Sequence, residues 1–205
     1  FVHLRVHTEY SIGDSIVRVD ALVDAALADG QPAVAITDAA NLFGWIKLYR
    51  AARAKGVKPL LGADCWLTNE ADRDRPYRVL LLARDQAGYL RLCDLLSRAW
   101  LANEHRGRAE LREQWFDEGA NEGLILLSGA QWGDVGQALD RGDLTLEPAR
   151  RNGSHFRLAL VADLVTHAGG DNPATSEDPV WGGTPEKIEQ GLRIAHDHLR
   201  PMVVG

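Results

Sequence analysis

The sequence predicts an α/β protein, a distorted barrel of seven βα units that is truncated in its seventh strand. Runs of β-branched and aliphatic residues alternate with segments of helical periodicity, which is typical of repeated βα units around a mainly parallel sheet. Six such strands and the start of a seventh fit a barrel better than a doubly wound sheet. The nucleotide and hydrolase motifs GxGxxG, GxxxxGK[ST] and GxSxG are absent, and Ser11-Ile12-Gly13-Asp14 follows the first strand instead.

Strands are predicted where Val, Ile and Leu cluster in short runs. In chain order they cover residues 1–7, 33–37, 58–67, 77–83, 124–128, 155–161 and the beginning of a seventh at 202–204. Because the side chains of a strand alternate in direction, Val2, Leu4 and Val6 are expected on the face opposite to that of His3, Arg5 and His7.

Helices are predicted between the strands from apolar residues at helical spacing. They cover residues from about 19 to Gly30, then 41–55, 85–103, 135–141 and 185–199, and Gly56 closes the second. The polar, arginine-rich stretch 104–122 carries no predicted element. Residues 166–184 are rich in Gly, Pro, Asp and Ser and are predicted to form a flexible or functional loop.

Composition narrows the class of protein. The 205 residues are 45% hydrophobic, 25% charged and include 20 glycines, as expected for a globular chain with one large core or two small ones. No stretch reaches the roughly 20 apolar residues of a membrane-spanning helix, and the first ten residues are too polar for a signal peptide, so we expect a cytoplasmic protein without a membrane partner. Cys65 and Cys93 lack a CxxC spacing and indicate reduced, buried thiols.

The charge balance bears on nucleic-acid binding. Asp and Glu number 29 against 23 Lys and Arg, which gives a net charge of -6. A domain that grips phosphates is usually basic. If this chain belongs to a nucleic-acid enzyme, another part is therefore expected to hold the nucleic acid.

Candidate functional residues are expected where parallel strands end, since barrel enzymes carry their reactive groups there. The polar residues at or near such positions are His3, Arg5, His7, Asp38, Asp64 and Arg78. Two histidines and two carboxylates suit a zinc, manganese or magnesium site, but the arginines can neutralise the carboxylates themselves. A structural ion-pair cluster, a weakened single-metal site and unrelated surface positions remain as alternatives.

Four blocks of sequence carry a resemblance to a known family. They read FVHLRVHTEYS at 1–11, AVAITDAANL at 33–42, GVKPLLGAD at 56–64 and EGLILLSGAQWGDVG at 122–136. In this order they resemble the N-terminal PHP (polymerase and histidinol phosphatase) domains of bacterial DNA polymerase III alpha subunits, of the proteobacterial type. The resemblance implies one PHP domain over 1–205, a fragment of a longer polymerase subunit, because such barrels usually need roughly 250 residues.

The resemblance also implies a ligand set for a cluster of metal ions, and this chain departs from it. The first family motif is HxH followed by Ser or Thr; here His7 matches the second histidine and Arg5 stands at the first. The second motif is TDH, of which Thr37 and Asp38 remain while Ala39 replaces the histidine.

The remaining family positions also differ from the metal ligands that the family carries there. Asp64 stands for a glutamate, Arg78 for a histidine and Ala130 for a cysteine, and the last family element would follow residue 205. We therefore expect no bound metal and no catalytic residue in this chain, with Arg5 and Arg78 replacing the metal charge beside Asp38 and Asp64. The degenerate positions are His3, Arg5, His7, Asp38, Ala39, Asp64, Arg78 and Ala130.

The function implied by the resemblance is that of a non-catalytic part of a replicative DNA polymerase. Such a domain would brace the rest of the alpha subunit and dock the proofreading exonuclease (epsilon) subunit. Other domains would hold the DNA and the magnesium ions of nucleotidyl transfer. The alternatives are a metal-dependent phosphoesterase or exonuclease of the PHP family and, less favoured, a binding module without an attached polymerase.

Overall fold

A computed structural model describes residues 1–118, 121, 123–134 and 136–137, and the backbone of 158–159. Three helices alternate with strands: α1 Val19–Ala28, α2 Trp45–Ala54 and α3 Gln86–Ala102. The strands are β1 Ala33–Ile36, β2 Lys58–Leu67, β3 Tyr77–Ala83, β4 Glu104–His105, β5 Arg108–Leu111, β6 Leu124–Ser128 and β7 Leu158–Ala159. The predicted mixed α/β organisation is confirmed.

The described strands form one sheet of mixed direction, in the order β4-β5-β2-β3-β6-β7, with β1 beside the first half of β2. The pairs β1/β2 and β6/β7 are parallel, as predicted, and β2 also pairs in parallel with β5, a strand that the sequence does not predict. The prediction of a mainly parallel sheet is wrong for β3, which runs antiparallel to both β2 and β6. The connection 68–76 is too short for the crossover of roughly a dozen residues that parallel neighbours need.

Residues 1–8 are extended but do not form the regular strand that was predicted for 1–7. They follow β1, where the amide of Ala35 donates to the carbonyl of His3 (3.1 Å) and the amide of Thr37 to that of Val6 (2.8 Å). The hydroxyl of Thr37 accepts from the amide of Val6 (2.8 Å), where a main-chain carbonyl would serve in a regular ladder. The segment nevertheless carries Arg5 and His7 to the edge of the sheet.

The side chains on the two faces of β2 lie in different environments. Ala63, Cys65 and Leu67 are buried in the main core, which α3 covers. Asp64 and Trp66 point to the opposite face, as the alternation of a strand requires. Cys65 is a buried free thiol, as predicted, and burial raises its pKa; Cys93 is also a free thiol but is only partly buried.

Helices α1 and α2 close a second core over β1. Val19 and Val23 of α1 and Leu48 of α2 are fully buried there. Helix α2 begins at Trp45, later than predicted, because Asn41 forms a turn in which its side chain donates to the carbonyl of Tyr10 (3.1 Å). None of the helices in the described residues is long and apolar enough to span a membrane.

The arginine-rich segment after α3 contains structure that the sequence does not predict. Strands β4 and β5 form a tight hairpin, and a short 3₁₀ helix, Glu113–Phe116, follows it. Of the predicted strand 155–161, only 158–159 is described, paired with β6. Most of the predicted helix 135–141, the loop 166–184, the helix 185–199 and the seventh strand lie outside the described residues.

Candidate functional site

The site lies on the face of the sheet that carries Asp64, where β2 approaches its end and β3 begins. In the antiparallel register Trp66 pairs with Arg78 and Asp64 with Leu80, so the side chains of Asp64 and Arg78 are diagonal neighbours on one face. In a wholly parallel sheet the beginning of β3 would lie at the far edge. The antiparallel direction of β3 is therefore what brings Arg78 to Asp64.

Asp64 is a buried carboxylate, with a side chain only 2% exposed, that two arginines hold. The Nε and Nη2 atoms of Arg5 both lie 2.7 Å from its Oδ2. Arg78 binds it bidentately, through Nε to Oδ1 (3.1 Å) and Nη2 to Oδ2 (2.8 Å). Such paired, charge-assisted hydrogen bonds fix the guanidinium as well as neutralise the carboxylate.

The guanidinium of Arg78 has a second support. Its Cζ lies 4.6 Å from the centre of the Trp66 ring, in a cation–π contact between residues that face each other across the two strands. Arg78 is thus held between an aromatic ring and a carboxylate.

His7 links Asp64 to the following loop. Its Nε2 lies 2.9 Å from Oδ2 of Asp64, and its Nδ1 bonds Asp14. Since both partners are carboxylates, which only accept, both ring nitrogens donate when the ring is protonated. The bond to Asp64 raises the pKa of His7 above 6.5 and the bond to Asp14 adds to this, although burial opposes them.

Burial and the neighbouring cations have opposite effects on the pKa of Asp64. Burial by itself would raise this pKa, but the hydrogen bonds from His7 and Arg78, together with the charges of both arginines, lower it to about 2. The carboxylate is therefore ionised throughout the physiological range, although it is almost fully covered.

Asp38 is buried separately and is held by neutral donors. Its oxygens accept from the amide of Thr8 (2.6 Å), the hydroxyl of Thr8 (2.8 Å) and the hydroxyl of Ser11 (2.7 Å). The predicted arginine–Asp38 pair is wrong: Arg5 and Arg78 both bind Asp64. Because Asp38 has its own donors, it needs no guanidinium.

The other predicted positions contribute little chemistry. The His3 ring packs edge-on against Phe1 at the surface, with ring centroids 4.8 Å apart, rather than joining Asp64. Ala39 forms a backbone bridge to Asp64, and its amide donates to Ser11. Ala130 lies in the turn after β6 with a positive φ of 47°.

Comparison with known proteins decides the family. The sequence model of the PHP domain family matches residues 3–160. The chain belongs to the PHP domain family. This confirms the resemblance carried by the four sequence blocks.

Similar proteins are found among bacterial polymerase subunits. The chain is 43% identical over 144 residues to the DNA polymerase III subunit alpha of Neisseria meningitidis, which is 70% of this chain and 13% of the relative. It is 42% identical over 146 residues to that of Escherichia coli, which is 71% of this chain and 12% of the relative. The matched part is thus about an eighth of the length of these relatives.

The comparison with solved structures gives matches of low similarity. One of them is a two-domain protein from Bacteroides vulgatus described as containing a predicted PHP-like metal-dependent phosphoesterase. The match has 14% identity and a TM-score of 0.39, and it covers 69% of this chain and 40% of that one.

The residues of this PHP domain do not fit a metal cluster. Both oxygens of Asp64 accept from guanidinium groups, and Ala39 and Ala130 carry no donor atom. Arg5 stands where the first histidine ligand is expected, and a guanidinium repels cations. Within the described residues, no three His, Cys, Asp or Glu side chains form a group that could hold a metal ion.

Sequence reasoning missed four residues of the PHP site. Thr8 and Ser11 hold Asp38, Asp14 bonds His7, and Trp66 stacks on Arg78. Thr8, Ser11 and Asp14 come soon after His7, so the short polar residues of the turn were the available signal. Trp66 follows Asp64 by two positions, which places it on the same face of the strand.

The His7 contacts predict a pH dependence of stability. A raised pKa in the folded protein stabilises it fully below the unfolded value of 6.5, and this contribution disappears as the pH rises through the folded pKa. We expect the free energy of unfolding to fall as the pH rises above 6.5 and through the raised pKa of His7, and His7→Gln to flatten that decline. Urea unfolding at several pH values measures it.

The matched control is His3→Gln, because His3 lies on the same segment but packs against Phe1. This variant should keep the pH slope of the parent chain. An unchanged slope in His7→Gln would contradict the assignment.

Proposed function

We propose that this chain is the PHP domain of a bacterial replicative DNA polymerase III alpha subunit, whose complete protein adds deoxynucleotides to a primer end. The identity of 43% over 144 residues supports this assignment. Since the match is 13% of that relative, the carboxylates that bind magnesium and the surfaces that bind DNA would lie in other domains. No catalytic residue is assigned here.

Within that polymerase the domain acts as a metal-free scaffold. The arrangement that supports this role is Asp64 between Arg5 and Arg78, where two guanidiniums supply fixed positive charge that requires no ion. A covalently attached charge cannot dissociate, so the cluster stays intact when metal availability changes. We assign residues 1–205 to one domain of the distorted (βα)7 barrel type.

The partners that we propose are the remainder of the alpha subunit and the proofreading exonuclease (epsilon) subunit, in the cytoplasm. The net charge of -6 favours contacts with protein over contacts with duplex DNA. Purified chain carrying an affinity tag should retain the purified exonuclease subunit on a column. Failure to retain the exonuclease subunit would refute the docking role. It would not bear on the scaffold role, which is tested separately by metal binding.

The polymerase assignment is tested on the gene. The open reading frame that contains these codons should also encode polymerase carboxylates, and its complete product should extend a primer in the presence of magnesium and deoxynucleotides. A reading frame without a polymerase domain, or a product without primer extension, would refute the assignment.

Metal binding separates the scaffold from a PHP phosphoesterase. Purified chain soaked with manganese or zinc is expected to retain no stoichiometric metal after gel filtration, because Arg5 and Arg78 fill the site. A variant with Arg5→His, Ala39→His, Arg78→His and Ala130→Cys returns ligand types to the family positions, and it should retain more metal than the parent. Elemental analysis by mass spectrometry measures both.

Two results would favour the phosphoesterase instead. One is manganese found by anomalous scattering between His7, Asp38 and Asp64 in crystals of the parent chain. The other is a phosphatase or exonuclease activity that copurifies with the chain and is abolished by EDTA.

A further inference from the structure

A groove between α1 and α2 forms a second surface feature, separate from Asp64. It has a volume of about 580 Å³, is open to solvent, and is lined by Asp20 of α1 and by Phe43, Ile46, Lys47, Arg50 and Ala51 at the start of and along α2. We call it the α1–α2 groove.

The groove is lined by apolar side chains that the fold leaves uncovered. Phe43 is 74% exposed and Ile46 57% exposed, while Leu48 and Ala52 on the inner face of α2 are buried. Ile46 and Arg50 are separated by about one helical turn, so an apolar and a cationic side chain lie on the same face of α2. Exposed apolar side chains that lie next to one another in a groove indicate a binding surface more strongly than single ones do.

The charges beside the groove are predominantly positive. Lys47 is engaged by Glu9 (2.8 Å) and lies 3.9 Å from Asp20. Arg50, which lines the groove, and Arg53, about one turn further along α2, are exposed and take part in no ion pair of the described residues. In a protein with a net charge of -6, two unpaired arginines beside an apolar groove favour an occupant that carries negative charge.

A peptide satisfies these requirements better than a nucleic acid. The phosphates of a nucleic acid could pair with Arg50, but a sugar-phosphate backbone offers no aliphatic side chains to the exposed Phe43 and Ile46, which a peptide does. Amphipathic helices use grooves of this kind, with apolar anchors on one face and charges at the flanks.

We propose that the α1–α2 groove binds a segment of a partner protein in which apolar side chains are flanked by carboxylates. Phe43 and Ile46 contact the apolar side chains, and Arg50 and Arg53 bind the carboxylates. This site goes beyond the scaffold role and does not depend on which partner the polymerase uses.

The proposal is tested with designed peptides and the complete 205-residue chain. The probe is a fluorescein-labelled helical peptide of about 16 residues with leucines on one face and glutamates at its flanks; the comparison peptide carries lysines instead of glutamates. Fluorescence anisotropy should show binding of the glutamate peptide and at least about tenfold weaker binding of the lysine peptide. Absence of binding, or equal affinity for both peptides, would overturn the proposal.

Single substitutions locate the site. Ile46→Ser and Arg50→Glu should each weaken the glutamate peptide by about tenfold, whereas Leu90→Ser, at a residue of α3 that is 58% exposed, should leave affinity unchanged. Thermal unfolding should show all three variants folded, since these side chains are on the surface. An affinity unaffected by Ile46→Ser and Arg50→Glu would place the peptide elsewhere. Self-association of the chain that Ile46→Ser abolishes would make a second copy the occupant and refute the partner segment.

Discussion

Replacement of Asp64 by asparagine is expected to lower the free energy of unfolding by about 3 kcal/mol, because two guanidiniums then lose their buried counter-charge. Arg78 is the more affected of the two arginines: its side chain is 20% exposed, whereas that of Arg5 is 55% exposed and can turn to water. The amide keeps the size of the carboxyl group, so the loss reports charge and hydrogen bonding rather than packing. Urea unfolding at neutral pH measures it.

The control for this substitution is Asp24→Asn on α1. Asp24 also pairs with a cation, Lys55, but its side chain is 62% exposed. An exposed pair contributes at most about 1 kcal/mol. If Asp64→Asn cost no more than Asp24→Asn, the arginines would not be acting as the fixed charge of the site. A double-mutant cycle with Arg78→Met should give a coupling energy of about 1–3 kcal/mol.

The ion pairs of Asp64 also predict how the stability of the chain changes at acid pH. A pKa lowered from 3.8 to about 2 represents about 2 kcal/mol of stability. Because the folded pKa is the lower one, this contribution is present above pH 3.8 and is lost as the pH falls toward 2. The chain should therefore lose stability on acidification more steeply than the Asp64→Asn variant.

Individual strands and helices could be predicted from the sequence because each depends mainly on the residues within it. The predicted bounds of β2 and β3 agree with the structure, since each is an apolar run of β-forming residues closed by polar or turn residues. The direction of β3 relative to its neighbours could not be predicted from its own residues. An apolar run such as YRVLLLA is compatible with either direction, and the repeated βα pattern of the chain favours a parallel one.

The composition of the site was predicted better than its pairing. Arg5, His7, Asp64 and Arg78 were named from the sequence, and the structure brings them together. The partner of Asp38 was not found, because the donors Thr8 and Ser11 lie about 30 residues away and carry no charge. Opposite charges in a sequence suggest an ion pair, whereas the sequence does not indicate which hydroxyl and amide groups will donate to a given carboxylate.

A second buried charge cluster was missed altogether. Glu110 on β5 has a fully buried side chain that binds Arg73 (3.1 Å) and Arg108 (3.2 Å) and accepts from the hydroxyl of Thr68 (3.2 Å). In the sequence it stands among arginines and glutamates in a stretch that resembles a solvated surface. The signal that could have found it is the alternation of Ala109 and Leu111 around it, which is typical of a strand.

This cluster fastens the connection 68–76 to the hairpin. Arg73 donates to Glu110 and to the side chain of Asn103 (3.1 Å), and Arg108 donates to the carbonyl of Arg73 (2.8 Å). Asn103 at the end of α3 in turn donates to the carbonyl of Glu110 (2.9 Å). The carboxylate of Glu110 thus joins β5 to the connection that turns the chain from β2 into β3, and its main-chain carbonyl holds Asn103 at the end of α3.

Glu110→Gln is accordingly expected to cost about 3–5 kcal/mol, the range for removing one charge from a buried ion cluster. The carboxylate is completely covered and faces two guanidiniums, so the variant leaves their charges with only amide and carbonyl acceptors. Urea unfolding gives the cost. Cleavage by trypsin after Arg73 should also become faster, because the connection 68–76 loses its anchor.

Glu118→Gln separates burial from pairing. Glu118 also binds an arginine, Arg98, at 2.6 Å, but its side chain is 49% exposed. The same chemical change there should cost at most about 1 kcal/mol and leave the trypsin sensitivity of 68–76 unchanged. Equal costs at the two positions would mean that water reaches Arg73 and Arg108 as readily as it reaches Arg98. Faster cleavage in Glu118→Gln would mean that general loss of stability, rather than loss of the anchor, exposes the connection.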